Sequence, residues 1–514
     1  MATDVLIVGS GGREHALAWK LKQSPRVGKL YVAPGNGGTA VTAENVAIEA
    51  TDFQGLATFA AEKKVGLTIV TSDDPLAAGI VDFFQARGLR IWGPTKEAAQ
   101  IESSKAFAKQ FMTEGGIPTA EFRVFTSAAQ ALAYTRTRSV PVVVKASGLA
   151  LGKGVYICKT AGEIEQAIDD IMVKKVHSDA GNEVVIEDFL QGEEISIHAL
   201  TNGSGYIVFP PSQDHKRAQD GDKGPNTGGM GVITPLPWVN EEMLVQIDRE
   251  VVSRSFETFN KRGIRYTGIL YPGLMMTVEG PKVLEFNARF GDPECQAYMR
   301  LLKSDALDLF EASTDGDIDA LKRTIEWHRG FAVNIVVASG GYPERYEKGF
   351  PITGIKDAET VEGVVVFQAG TKRDGEQIFT NGGRVLGVSA VPDLNLVLRR
   401  FVMRWKQNKT PLAVVEPSEE EIRAQREAQE QKVWQEELAF VRGQISKAIA
   451  AGNRFVNIYR YNHRHFVSAV VAVANEDKRV KDIKLHSRTE TGGDMAGNRY
   501  YSEQALLTLE YTDS

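Results

Sequence analysis

The segment from Val283 to Glu294 concentrates oxygen-bearing side chains and one guanidinium in a short stretch. Its apolar start predicts a β-strand, on which Glu285 and Asn287 are two residues apart and project from the same face. A carboxylate beside an amide oxygen is typical of a site that shares Mg²⁺ with a polyphosphate, because magnesium takes few protein ligands there. The alternative is a strand with a solvated polar edge, which this segment alone does not exclude.

A run of valines ends at Lys145 and leads into a glycine-rich loop that carries a second lysine, Lys153. The loop is not a P-loop, because only three residues separate Gly148 from Gly152 and Gly154 stands where Ser or Thr is required. A glycine loop between strands is instead suited to fold over the phosphates of a nucleotide. The alternative is a surface hairpin, but Lys145 follows apolar residues where a charge needs a partner.

Residues 184–194 form an apolar strand that breaks into an acidic turn. The backbone near Phe189 and Leu190 is positioned to bind an adenine edge, and Glu193 or Glu194 to accept ribose hydroxyls. A lysine near 105, the lysine and glycine loop at 145–154, this acidic turn and the acid–amide pair at 285–287 follow one another in the order found in ATP-grasp enzymes. The chain resembles that superfamily in this respect.

The elements that position these residues begin with alternating strands and helices, which predict a parallel sheet with right-handed crossovers. We expect strands at 5–9, 29–33, 67–71 and 89–93, and helices from about 13, at 54–64 and at 76–87. The turn after the first strand lacks the dinucleotide fingerprint, since Glu14 occupies the third glycine position. A glycine turn opening a helix still offers backbone N–H groups to a phosphate, with Arg13 and His15 adding charge; the alternative is a plain tight turn.

Bulk composition excludes several classes of protein. A chain of 514 residues exceeds one core and predicts three or four domains. The net charge of −6 argues against a nucleic-acid or membrane-surface partner. The start of the chain lacks the basic region of a signal peptide, and no apolar stretch is long enough to span a bilayer. With only Cys158 and Cys295, a disulfide scaffold or zinc site is not expected. We therefore expect a soluble cytoplasmic protein.

The expected fold class is a multidomain mixture of α/β and α+β. It comprises a Rossmann-like parallel sheet at 1–103, an ATP-grasp core at 104–315 with a mobile lid at about 126–195, a small α+β domain at 316–415 and an extension at 416–514. In the extension, a capping box at Ser418 predicts a long helix ending before Gly452, with strands near 455–461 and 466–473. Whether the extension caps the fold, mediates association or forms a binding module stays open.

Seven motifs in order resemble those of the phosphoribosylamine–glycine ligase family, over roughly residues 1 to 400. They are GGREHA at 11–16, APGNG at 33–37, SKAF at 104–107, QDHKR at 213–217, GPNTGGMG at 224–231, FNARFGDPE at 286–294 and TNGGRV at 380–385. The resemblance implies ATP-dependent joining of glycine to 5-phosphoribosylamine through an acyl phosphate, with Mg²⁺ or Mn²⁺. It implies small-molecule substrates and a monomer, with association through 416–514 as the alternative.

Site roles follow from the resemblance by matching position. Arg289, Lys145 and Asp214 would be catalytic, and Arg289 would pair with either the glycine carboxylate or the transferring phosphoryl group. The metal would be held by Glu285 and Asn287. ATP would be bound by Lys105, Lys145, Gly148, Gly152, Lys153, Gly154, Glu187, Asp188, Phe189, Leu190 and Glu193. The substrates would be bound by Gly11, Gly12, Asn36, Asp73, Asp214, Lys216, Asn226, Gly228, Gly229, Met230 and Arg289.

The chain departs from the family pattern at three places. Asp73 is shorter than the usual glutamate, Ser147 replaces an aspartate before the glycine loop, and the family's closing segment is not found after Arg400. These departures leave two other hypotheses. One is another ATP-grasp carboxylate–amine ligase, or a carboxylase, with a different acceptor. The other is a ligand-binding or assembly protein with a decayed ATP site.

Overall fold

The computed structural model describes residues 2–150, 154–221 and 223–391, together with the backbone of 455–461, 480–493 and 499–511. Two compact units divide the chain, Met1–Arg404 and Trp405–Ser514. The helix expected from Ser418 and the strand expected at 466–473 lie outside the described residues. Within the described ranges, no helix combines the length and apolarity that crossing a bilayer requires.

A five-stranded parallel sheet opens the first unit, in the order β3-β2-β1-β4-β5. Its central strand is apolar on both faces, and the side chains of Val5, Leu6, Ile7 and Val8 are fully buried, as expected of a sheet covered by helices on both sides. The strands are β1 Thr3–Gly9, β2 Val27–Pro34, β3 Glu44–Asn45, β4 Leu67–Val70 and β5 Ile91–Trp92. The helices are α1 Gly12–Leu21, α2 Thr39–Thr42, α3 Phe53–Glu62, α4 Asp73–Ala78 and α5 Ile80–Gln85.

The single helix expected at 76–87 is wrong, because the structure has two short helices there. They meet at Gly79, whose φ of +95° is left-handed and favours glycine. The fifth strand is also shorter than the expected 89–93, since only Ile91 and Trp92 pair with β4.

Two consecutive helices, α6 Lys96–Ser103 and α7 Lys105–Gly115, connect the first sheet to the next part of the chain. Ser104 separates them and caps α7, accepting a hydrogen bond from the Phe107 N–H at 3.1 Å. This cap fixes Lys105 in the first turn of α7. Lys109 lies one turn later on the same side.

A four-stranded antiparallel sheet follows, in the order β6-β9-β7-β8. Its strands are β6 Phe122–Phe125, β7 Val142–Ala146, β8 Val155–Cys158 and β9 Val184–Asp188, and its helices are α8 Ala128–Thr135 and α9 Ala161–Ile168. In the β7–β9 register, Val143 lies opposite Glu187. Because side chains alternate along a strand, Lys145 and Glu187 therefore lie on one face as diagonal neighbours.

The strand that carries the acid–amide pair belongs to a third sheet, in the order β10-β17-β11-β12 with β18 also paired to β17. The elements of this region are β10 Glu193–Ser196, β11 Ala199–Thr201, β12 Tyr206–Val208, β13 Gln213–Asp214, β14 Arg217–Gln219, β15 Lys223–Asn226, β16 Gly231–Thr234, α10 Glu241–Ile247, α11 Ser253–Lys261, β17 Gly268–Thr277 and β18 Gly280–Asn287. The strand β18 lies at an edge of this sheet. Glu285 and Asn287 lie at the C-terminal end of this strand.

The remaining strands of the first unit extend a fourth sheet, β13-β16-β19-β24-β21, and a small sheet, β20-β23-β22. The elements are α12 Glu294–Leu301, α13 Ala306–Thr314, α14 Ile318–Thr324, β19 Ala332–Ala338, β20 Pro351–Ile352, α15 Ile355–Glu359, β21 Val364–Gln368, β22 Thr371–Asp374, β23 Gln377–Thr380 and β24 Arg384–Ala390. Because β13 and β16 pair within this sheet, the loops after β13 and before β16 lie beside the C-terminal strands.

A core around Trp92 joins the first sheet to α13. The Trp92 indole N–H donates to the Ser313 hydroxyl at 2.9 Å, and its ring meets Phe310 edge-on. Phe290 also stacks on Trp92, with the ring centroids 5.8 Å apart. The segment just after Asn287 is thus anchored to the first sheet by burial of large aromatic side chains.

The second unit contains an antiparallel three-stranded sheet in the order β25-β27-β26. Its strands are β25 Phe455–Tyr461, β26 Val480–Gly493 and β27 Arg499–Tyr511. The strand expected near 455–461 is therefore present, with the same bounds as β25.

Candidate active site

A buried group of two lysines and one glutamate lies where β7 and β9 face α7. The Lys145 ammonium contacts Glu187 Oε1 and donates to the Leu284 carbonyl at 3.1 Å. The Lys109 ammonium forms an ion pair with Glu187 Oε2 at 2.5 Å. Burial alone would raise the pKa of Glu187, but the two ammonium groups outweigh it and hold that pKa below its usual value. Glu187 is therefore a carboxylate, and Lys145 has the partner that its apolar surroundings require.

The start of the glycine loop is tied to the N-terminus of α7. Ser147 accepts two hydrogen bonds from this helix, one from the Lys105 N–H to its carbonyl at 2.7 Å and one from the Ala106 N–H to its hydroxyl at 3.1 Å. Lys105 Nζ lies 3.4 Å from the Gly148 carbonyl. Burial lowers the pKa of Lys105, and the nearby Glu285 counteracts this. The Gly154 carbonyl pairs with Ala146, whereas Gly152 and Lys153 lie outside the described residues.

Glu285 and Asn287 project from one face of β18, as predicted. Burial would raise the pKa of Glu285, but Lys216, Lys145 and Lys105 lower it further than burial raises it. The Lys216 ammonium is 3.7 Å from Glu285, and the Asn287 amide oxygen accepts from Arg289 at 3.2 Å. The Lys145 contact with Leu284, adjacent to Glu285, places Lys145 and this acid in one cleft.

One carboxylate and one amide oxygen suit a divalent cation only if other oxygens complete its shell. Among the described residues, no group of three His, Cys, Asp or Glu side chains is arranged to hold a metal ion. The pair therefore fits Mg²⁺ shared with a polyphosphate and does not fit a metal held by protein alone.

Lys216 lies near Glu285 as well as Asp214, and its role in binding the amine substrate, which the family resemblance implies, stays a prediction. Its ammonium pairs with Glu194, and Glu194, Glu285 and Asp214 together raise the pKa of Lys216 despite burial. Glu193 is exposed, with Gln213 Nε2 at 3.5 Å. Of the two acids left open by the sequence, Glu194 is thus the one held by a cation.

Arg289 is positioned by Glu102, which sequence reasoning missed. Arg289 Nη2 is 2.7 Å from Glu102 Oε1. Burial would lower the pKa of Arg289, but Glu102 and then Asp73 raise it, so Asp73 acts on Arg289 through charge. The Arg289 Nε is buried and has no hydrogen-bond partner among the described residues. Since a buried unpaired donor is costly, this N–H is available to an anion in the cleft.

Two acidic residues, Asp214 and Glu294, lie under the glycine loop before β16. Tyr271 donates to Glu294 at 2.6 Å. Burial and the charge of Glu294 raise the pKa of Asp214 well above its usual value, and Asp214 Oδ1 has no partner within the described part of the chain. Gly229 approaches so closely that a Cβ there would lie 2.5 Å from Asp214 Oδ1. The loop thus needs glycine at this position, with its φ of +105°.

The turn after β1 is occupied by carboxylates. The Gly11 N–H donates to Glu14 at 2.5 Å, and the Arg13 N–H donates to Asp292 at 3.2 Å. Burial would raise the pKa of Asp292, but Arg384 and Arg13 lower it. The N–H of Gly11 is therefore not free, contrary to the expectation from the sequence.

Asn36 organises this turn through its side chain. Its amide nitrogen donates to the carbonyls of Ser10, Gly11 and Gln368, and its amide oxygen accepts from the N–H groups of Gly38 and Thr39. Both ends of the amide are thus used by backbone. A direct substrate contact through this side chain would have to break one of these bonds.

His15 does not add positive charge near this turn, and the expectation that it would is wrong. Its Nδ1 accepts a hydrogen bond from the Gln368 N–H at 2.8 Å. Burial lowers the pKa of His15 to about 4. The imidazole is therefore neutral at pH 7.

The other predicted site residues lie at the edges of the cleft. Asp188 pairs with Arg138, and Phe189 follows β9 with 37% of its surface exposed. Asn226 pairs with Arg217 in the β14–β15 hairpin. The Arg384 guanidinium donates to the Gly228 carbonyl at 2.5 Å and to the Asp292 carbonyl at 2.5 Å. The positions of Leu190, Gly12 and Met230 are fixed by the same turns, next to Phe189, Gly11 and Gly229.

An antiparallel sheet that carries a lysine and a glycine loop, facing a strand that ends in an acid–amide pair, defines an ATP-grasp protein. Three family models match the chain: phosphoribosylglycinamide synthetase N domain at 3–102, its ATP-grasp (A) domain at 103–295 and its C domain at 332–395. The chain belongs to the phosphoribosylglycinamide synthetase family.

Individual relatives agree with the family models. The chain is 48% identical over 386 residues to a phosphoribosylamine–glycine ligase of Halalkalibacterium halodurans, covering 75% of this chain and 89% of that protein. It is 48% identical over 401 residues to the human trifunctional purine biosynthetic protein adenosine-3, covering 77% of this chain and 39% of that protein. A solved Thermotoga maritima phosphoribosylamine–glycine ligase has a TM-score of 0.66 and 32% identity, covering 78% of this chain and 96% of its own.

The neutral state of His15 predicts a pH dependence of stability. The unfolded chain binds a proton at His15 between about pH 6.5 and 4 whereas the folded chain does not, so the free energy of unfolding falls as pH falls through this window, by about 3 kcal/mol in total. We expect His15→Asn, which keeps an acceptor for the Gln368 N–H but cannot titrate, to show a shallower dependence in urea unfolding measured from pH 7 to 4. Identical slopes in both proteins would contradict a buried neutral His15.

Proposed function

We propose that this chain joins glycine to 5-phosphoribosylamine at the expense of ATP, giving glycinamide ribonucleotide, ADP and phosphate, in de novo purine biosynthesis. The proposal rests on one observation above all. Lys145, Lys105 and Lys216 converge on Glu285 and so create a cationic cleft with a built-in acid, which suits a metal-bound triphosphate. The relatives that carry the ligase name supply the identity of the substrates.

The first step activates the glycine carboxylate. Oxide is too poor a leaving group for direct attack by an amine, so a carboxylate oxygen attacks the γ-phosphorus of ATP, ADP leaves and glycyl phosphate forms. Lys105 and Lys145 hold the phosphates, and the loop at 148–154 covers them. Arg289, whose Nε is unpaired, orients the glycine carboxylate or the phosphoryl group through its planar fork. These groups lower the barrier by positioning and by neutralising charge.

The second step is attack by the amine of phosphoribosylamine on the acyl carbon of glycyl phosphate. The amide C–N bond forms, the bond from the acyl carbon to the phosphate oxygen breaks, and the proton lost by the amine leaves with the phosphate. We assign this substrate to the side of the cleft formed by Asp214 and the loop before β16. Its other proposed contacts are Gly12, Asn226, Gly228, Gly229 and Met230, and a contact at Gly11 would have to displace Glu14 from the Gly11 N–H. Asn36 acts indirectly by shaping the turn after β1, and Asp73 acts through its charge on Arg289. Lys216 belongs to the phosphate end of the cleft.

The nucleoside is held at the end of β9. The backbone of Asp188, Phe189 and Leu190 meets the adenine edge, next to Glu187. Glu193, which is exposed, is the acid for the ribose hydroxyls, because Glu194 is already paired with Lys216. Glu285 and Asn287 would hold Mg²⁺ or Mn²⁺, and the ion would supply positive charge that neutralises the phosphates.

The substrates are tested by ADP release from the purified chain with each amine and amino acid in turn. We expect release that requires both glycine and phosphoribosylamine, because acyl phosphate forms only with the amino acid and turns over only with the acceptor. Release with another amino acid or amine, or with bicarbonate, would favour a different ATP-grasp ligase or a carboxylase. Release under no condition would favour a binding protein.

The metal assignment predicts that Glu285→Ala lowers kcat at least about a hundredfold at saturating Mg²⁺ while the fold is kept. Glu279→Ala is the matched control, since Glu279 is a 71% exposed acid at the turn of the same β17–β18 hairpin and should have no effect on kcat. Turnover is measured by ADP release, and folding by thermal denaturation. Full activity of Glu285→Ala would refute the assignment.

We expect the enzyme to act as a monomer and the chain after Arg404 to be dispensable for nucleotide binding, since the first unit carries every assigned group. A chain ending at residue 404 should bind MgADP with the affinity of the full chain in calorimetry. Sedimentation of both forms tests association through 416–514. A folded shorter chain without affinity for MgADP would show that the second unit builds the site.

A further inference from the structure

Lys109 is a buried charge without an assigned task. Only 2% of the residue is exposed, and it lies one helical turn after Lys105 on α7. Besides its ion pair with Glu187, its ammonium donates to the Thr119 hydroxyl at 2.7 Å. Thr119 in turn donates to the Val283 carbonyl at 2.7 Å. Lys109 is therefore bonded to β9 directly and to β18 through one hydroxyl.

The Lys109 ammonium also faces the Phe122 ring, with the centroid 5.2 Å away. Burial is the main cause of the lowered pKa of Lys109. The charge of Glu187 raises this pKa, and the charge of Lys145 lowers it further. Two cations therefore share one carboxylate in a region closed to water, leaving the group with excess positive charge.

We propose that Lys109 is a positioning residue that neutralises Glu187, so that the Lys145 ammonium is available to the phosphates of ATP. The proposal rests on the function above in one respect, namely that Lys145 binds phosphate. Lys109 touches no substrate. It acts through Glu187, which fixes the Lys145 side chain on the same face of the sheet.

The physical reason is the cost of a buried charge without a partner. If Glu187 had only Lys145, moving that ammonium toward a phosphate would leave a buried carboxylate unpaired, a loss of several kcal/mol. With Lys109 fixed on Oε2, the carboxylate stays paired when Lys145 turns from Oε1 to an anion. Lys105 does not replace Lys109, because its ammonium points to the Gly148 carbonyl at the mouth of the loop.

The test is MgADP and adenosine binding by calorimetry, which needs neither glycine nor the amine. We expect Lys109→Met to weaken MgADP binding about tenfold and to change adenosine binding less than twofold, since Lys145 meets only the phosphates. Lys109→Arg, which keeps the charge, should stay within about threefold of wild type. Lys20→Met is the matched control, because Lys20 is a buried helical lysine whose ammonium donates to the Leu302 carbonyl at 2.5 Å. It should lower the melting temperature without changing either affinity.

Two outcomes would overturn the proposal: unchanged MgADP affinity in Lys109→Met, or equal weakening of MgADP and adenosine. If Lys109→Met does not fold, Lys109→Gln carries the same expectation, and equal weakening of both ligands there would also overturn it. A wild-type chain that binds MgADP but does not ligate glycine would refute the proposed function alone. The role of Lys109 would still be decided by the binding data.

Discussion

The need to stabilise a lysine charge beside a row of buried valines is the constraint on which the site depends. Lys145 lies near the end of β7 after fully or nearly fully buried residues, so its ammonium requires an acid from a neighbouring strand. Glu187 meets this need because the antiparallel register places it on the same face. The acid is itself buried, and Lys109 on α7 pairs with its second oxygen, which links α7 to the sheet. One buried ion group thus fixes the relation of two strands and a helix.

Two other cations of the cleft are likewise held by acidic side chains of the protein and can still contact a ligand. Arg289 is held by Glu102, and Lys216 is held by Glu194 and approached by Glu285. In each case an acid of the protein fixes the cation, and other N–H groups of that cation remain to bind another anion. Such preorganised donors lose little entropy on binding a charged ligand, and they act most strongly where water is excluded.

The sequence predicted those parts of the site whose neighbours are close in the chain. The alternation of side chains along a strand was enough to predict the pairing of Glu285 with Asn287, and the apolar run before Lys145 was enough to predict that it needs a partner. Glu102 and Lys109 carry no such signal, because charged residues on helices usually face solvent and only tertiary burial shows that these do not. The neutral state of His15 likewise depends on packing against a strand more than 300 residues away.

The departures from the family pattern are compatible with the site because the affected residues act through neighbours. Asp73 need not reach Arg289, since Glu102 makes the direct ion pair and Asp73 contributes only charge at longer range. Ser147 lacks the charge of an aspartate, yet its hydroxyl still accepts the N–H that opens α7. A hydroxyl satisfies this donor without adding a negative charge beside Lys105, whose ammonium is thereby left to balance Glu285.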